Sequence, residues 1–85
     1  MSSCLHHFVI YIYIVKKYAV IVGNNLKQAR KFKGYTQKYV ASLFNMSQQQ
    51  YSRFENGVFE LNYTQIIELC KLLSITPNEL FDFDI

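Results

Sequence analysis

The apolar positions of this chain keep two different rhythms. From Phe8 to Val22 they run almost unbroken, FVIYIYIV and then YAVIV, parted only by Lys16-Lys17. From Leu26 onward they recur every three or four residues. Ile66, Leu69, Cys70 and Leu73 fall at i, i+3, i+4 and i+7, which predicts an amphipathic helix over Tyr63–Leu73. Val40, Ala41 and Phe44 predict a second over Gln37–Phe44, and Leu26 with Ala29 a third over Leu26–Lys33. Tyr51 and Phe54 give the inner side of a helix opening at Ser47 and running to about residue 56, and Leu80 and Phe81 close a last short one.

The polar residues between these stripes punctuate them. Thr36, Ser47, Asn62 and Thr76 stand where N-caps are needed. Ser47 with Gln50 and Thr76 with Glu79 have capping-box spacing, and Pro77 sits at the first helical position. Met46 and Tyr51 are spaced as a hydrophobic staple across the Ser47 cap. Asn45, a residue that tolerates positive φ, marks a tight corner between the second and third helices. Gly34 and Asn56-Gly57 read as helix stops. The fold class that follows is all-α, a compact five-helix domain over residues 23–85. The tail from Asp82 to Ile85 is expected to be loose or to pair with a neighbour.

Residues 1–22 form a separate apolar extension. Their β-branched and aromatic composition favours one extended strand, or two with Lys16-Lys17 between, with Gly23-Asn24-Asn25 as the break before the first helix and an Asn as its cap. Such a segment has to pack on the domain, pair with a second copy or lie on a membrane. A signal peptide is disfavoured because the lysines follow the apolar run, and a membrane span is disfavoured because eight residues precede Lys16.

Composition narrows the function classes. Gly and Pro are scarce, three and one, and aromatic residues make up 16%, which excludes disorder and a turn-rich β domain. The net charge of +3 hides an asymmetry: residues 1–54 carry eight Lys or Arg and no acid, whereas residues 55–85 carry six acids and only Lys71. A basic half points to a polyanion on one face. Cys4 and Cys70 lack metal or redox spacing, His6-His7 would point apart on a strand, and no catalytic cluster is present. The expectation is a cytoplasmic protein that is not an enzyme and needs no cofactor or metal. The third helix has a polar front of Gln48, Gln49, Ser52 and Arg53, suited to the floor of a DNA major groove.

With Arg30, Thr36-Gln37, Val40-Ala41, Met46-Ser47, Tyr51, Glu55-Asn56-Gly57 and the joint from Leu73 to Thr76, residues 24–81 resemble the Cro and phage-repressor type of helix-turn-helix domain, the Xre family with its lambda-repressor-like fold. The resemblance implies that the helix over 48–56 lies in the major groove, with Gln48, Gln49, Ser52 and Arg53 on bases. It implies Gln37 on a backbone phosphate, with Lys38 and Asn56 as further phosphate candidates, and a structural ion pair between Arg30 and Glu55. Tyr51 belongs to the core rather than to a stacking surface. Asn45 and Ser74 replace common family glycines, and the loop Val58-Phe59-Glu60 lacks basic residues often found there, so Val58 and Phe59 are expected to dock the N-terminal segment or a second subunit.

The leading expectation is a small, dimeric, sequence-specific regulator that binds double-stranded DNA. Two others compete: a protein-interaction module, antitoxin-like or anti-repressor-like, working through residues 1–22; and a peripheral membrane-associated regulator using residues 8–22 with Lys16 and Lys17.

Overall fold

The computed structural model describes residues 2–83, with side chains from His7 onward, as five helices. They are α1 (Ser2–Lys33), α2 (Gln37–Leu43), α3 (Gln48–Glu55), α4 (Tyr63–Leu73) and α5 (Pro77–Phe81). The C-terminal half of α1 is the axis of the domain and packs against α3, α4 and α5, while α2 lies on α3 and α4 on α5. Leu26, Val40, Tyr51 and Leu80 are completely buried where these helices meet, with Leu69, Cys70 and Leu73 supplied by α4. The Cys70 thiol is free, and burial raises its pKa.

The caps form where the sequence places them. The hydroxyls of Thr36 and Ser47 accept from the backbone N–H groups of Tyr39 and Gln50 at 3.0 and 3.1 Å. Thr76 and Glu79 make both bonds of a capping box, and so do Asn62 and Gln65. At Ser47 only half of the expected box exists, since the Gln50 side chain makes no bond back to the cap. Helices α2 and α3 each end one residue early, with Phe44 and Asn56 as C-caps. Asn45, Ser74 and Asp82 adopt positive φ. Asp84 and Ile85, half of the tail expected to be loose, lie outside the described residues.

The N-terminal segment departs from expectation. Residues 8–22 are not extended: they are the outer part of α1, which runs unbroken from Ser2 to Lys33. Two features of the sequence hid this. A continuous apolar run has no visible period, so composition prevailed over a helical repeat that was present. Phe8, Ile12, Val15, Ala19, Val22, Leu26 and Ala29 are spaced alternately four and three apart, a single stripe through the whole helix. The apparent break at Gly23-Asn24-Asn25 is also something else. A Cβ at Gly23 would stand 2.5 Å from the carbonyl oxygens of both Phe54 and Glu55, so glycine here lets α1 and α3 touch backbone to backbone. The Asn25 amide donates to the Leu80 carbonyl at 3.0 Å and to Asp82 Oδ1 at 3.1 Å, closing the end of α5 rather than starting a helix.

The resulting shape is elongated. A helix of this length spans about 48 Å, and the longest dimension of the chain is 49 Å. Val22 is buried, while most apolar side chains from Phe8 to Val20 are exposed. Among the described residues no helix is long and apolar enough to cross a membrane.

Gly23→Ala should force α1 and α3 apart and destabilise the domain by about 1–3 kcal/mol, the usual cost of overpacking. Urea unfolding followed by circular dichroism measures it. An unchanged midpoint would mean that the close approach is not required.

Candidate nucleic-acid interface

Helices α2 and α3 form the corner. Val40 and Ala41 seat α2, and the Ala41 carbonyl accepts from both Phe44 N and Met46 N at 3.1 Å, which tightens the turn through Asn45 at φ 54°. Beyond the Ser47 cap, α3 buries Tyr51, Phe54 and Glu55. The three-to-four spacing of those inward residues sets the rest of the helix outward: Gln48, Gln49, Gln50 and Arg53 are exposed and Ser52 is half-buried.

The inner side of α3 is held by a buried ion pair. Arg30 Nε donates to Glu55 Oε2 at 2.6 Å and Arg30 Nη2 to Glu55 Oε1 at 3.1 Å, a two-pronged contact between α1 and α3. The Glu55 side chain is completely inaccessible and that of Arg30 is 9% exposed. Arg30 Nη1 also donates to the Tyr35 carbonyl at 2.8 Å, and Gln37 Nε2 donates to Glu55 Oε1 at 3.0 Å. Three helices therefore converge on one carboxylate. Burial pushes the Glu55 carboxyl up, but bonds from Arg30 and Gln37 outweigh it and hold its pKa below the ordinary carboxylate value. The hydrogen bond to Glu55 likewise raises the Arg30 pKa. Among the described residues the buried Tyr51 hydroxyl has no direct hydrogen-bond partner, and burial, with the Glu55 carboxylate beside it, drives its pKa upward.

The outer side is a shallow concavity lined by Gln37, Gln48, Gln49, Ser52 and Arg53. The structure thus brings four side chains of α3 and the first residue of α2 to one surface. Lys38 is exposed next to Gln37. Asn56 Nδ2 donates to Ser52 Oγ at 3.3 Å. Arg53 does not hang free, as its guanidinium lies 5.6 Å from the centre of the Phe59 ring, which packs edge-on against Phe54. Phe59 also borders α1, sharing a groove with Val15, Tyr18 and Ala19, whereas Val58 is exposed. Sequence reasoning missed two of these links. The Gln37–Glu55 bond has no local signature, and the Arg53–Phe59 stack depends on the turn after Gly57. Among the described residues, no three His, Cys, Asp or Glu side chains are grouped to hold a metal ion.

The comparisons agree with this geometry. A helix-turn-helix family profile matches residues 26–80. A solved structure, the restriction-modification controller protein C.AhdI from Aeromonas hydrophila, superposes with a TM-score of 0.68 and 29% identity, covering 78% of this chain and 96% of that one. No curated protein matches.

Glu55→Gln should leave the Arg30 charge buried without its counter-ion and cost about 3–5 kcal/mol at neutral pH. The parent should behave differently with pH. A carboxyl whose pKa falls on folding contributes fully above its unfolded value of about 4.3 and loses that contribution as pH falls through the folded value. Urea midpoints from pH 7 to pH 3 should therefore drop less steeply for Glu55→Gln than for the parent, and parallel curves would count against the pair. By its corner, its two-sided third helix and these matches, the chain belongs to the Cro/C1-type (Xre) helix-turn-helix family of DNA-binding transcription regulators.

Proposed function

We propose that the chain is a sequence-specific regulator that inserts α3 into the major groove and binds its operator as a dimer. The observation that carries this reading is the surface shared by Gln37, Gln48, Gln49, Ser52 and Arg53. It is polar, convergent and free of acid, because the carboxylate nearest to it is sealed inside against Arg30.

Each side chain has a role suited to its chemistry. Gln48 and Gln49 can each donate to and accept from the edge of an adenine at once. Arg53 presents a planar fork to guanine, and its stack on Phe59 restricts that fork before DNA arrives. Ser52 accepts from Asn56 and keeps its own proton to donate. Gln37 spends one amide hydrogen on Glu55 and retains the other for a phosphate oxygen. Lys38 and Asn56 supply the remaining backbone contacts, which fix register while the bases fix sequence. One helix of this kind reads only a few base pairs, so two copies on a two-fold symmetric site are the natural source of specificity. In this reading the protein acts by binding rather than by chemistry, and its likeness to a restriction-modification controller protein fits a small regulator.

The base and phosphate roles separate experimentally. On the preferred duplex, Gln48→Ala, Gln49→Ala and Arg53→Ala should each cost about 1–3 kcal/mol, with little loss on random duplex. Lys38→Ala should weaken both duplexes alike and reduce the salt dependence by about one unit of slope. Anisotropy titrations at several salt concentrations measure both effects. If the α3 variants lost affinity equally on both duplexes, the base-reading assignment would be wrong.

A further inference from the structure

We propose that the outer half of α1 is the surface through which two copies associate, packed antiparallel with Phe8 over Ala19 of the second copy and Ile12 beside Val15 of the second copy. This deepens the dimeric reading given above by naming the surface that joins the two chains.

The stripe along α1 carries the inference. It runs from Phe8 to Ala29 in one register, alternately four and three residues apart, which is the seam spacing of paired helices. Its inner half, Val22, Leu26 and Ala29, is covered by the rest of the chain. Its outer half continues the same seam with no other helix among the described residues laid along it. Val15 and Ala19 are half-buried only because they border the groove formed with Phe59, Tyr63 and Ile66. That groove sits at the inner end of the open seam and gives an arriving side chain a place to lodge.

The area is of the right size. Summed around the helix, the large apolar side chains between Phe8 and Val20 leave on the order of 900 Å² exposed. Pairing that covers half of it, with Phe59 and Tyr63 in the groove, approaches the roughly 800 Å² per partner of a stable interface. Antiparallel packing also fits the side chains. It sets the largest residue of the open seam, Phe8, against the smallest, Ala19. Parallel packing would instead set Phe8 against Phe8 and Ala19 against Ala19. A lipid surface is the less suitable occupant. A helix lying in the membrane plane needs a polar face, and residues 8–15 have none.

The test uses the full chain without DNA, so its failure would leave the DNA-binding reading intact. Sedimentation equilibrium from 1 to 100 µM should give about twice the 10.1 kDa chain mass. Ile12→Glu or Val15→Glu should weaken association at least tenfold, whereas Ile10→Glu, on the opposite side of the helix, should not. The double variant Ile12→Glu/Val15→Lys should recover association, because antiparallel packing sets each glutamate beside a lysine of the other copy. Circular dichroism melts of each variant establish that the domain remains folded. A parent that stays monomeric would overturn the proposal, as would equal losses for Ile12→Glu and Ile10→Glu. A double variant that stays apart would overturn the antiparallel register. A monomer that cosediments with phosphatidylglycerol vesicles would assign the surface to lipid instead.

Discussion

Glu55 is the point on which the architecture turns. One carboxylate receives Arg30 from α1 through two nitrogens and Gln37 from α2 through a third, and it belongs to α3 itself. A buried ion pair of this kind adds little net stability against an apolar substitute, because desolvating two charges offsets their attraction. What it supplies here is direction. A hydrophobic contact would tolerate rotation of α3 about its axis, whereas a two-pronged guanidinium contact fixes it. The same burial removes the only acid of the α2–α3 unit from its polar outer surface.

Direction matters because α3 has separate duties on its two sides. Tyr51, Phe54 and Glu55 hold it, and Gln48, Gln49, Ser52 and Arg53 are left outward by the helical period alone. Its C-terminal end is anchored again where Gly57, at φ 74°, would bring a Cβ within 2.8 Å of Val20 Cγ2. Together with the approach at Gly23, this ties α3 to residues 20–23 of α1. The polar front of α3 and the projecting apolar helix are therefore one rigid element, and whatever covers the outer half of α1 also sets where that front stands.

Much of this was legible in the sequence. Wherever apolar residues alternate with polar ones, the period, caps and stops locate the helices to within about a residue, as at Asn62–Leu73 and Thr76–Phe81. The polar front of α3 was legible for the same reason. The outer half of α1 was not, since an all-apolar run carries no contrast from which a period can be read. Gly23 and Asn25 misled because their reasons are tertiary: one makes room for the backbone of α3, and the other closes the end of α5. Gln37 was legible as a surface residue but not as a partner of Glu55, a bond between residues eighteen positions apart.

The central claim is that α3 reads sequence, and selection of bound duplexes from a random pool tests it most directly. A short enriched motif with adenine and guanine contacts on one strand, repeated with two-fold symmetry at a fixed spacing, is the expected result. Recovery of duplexes with no common motif, at an affinity governed by salt alone, would contradict it.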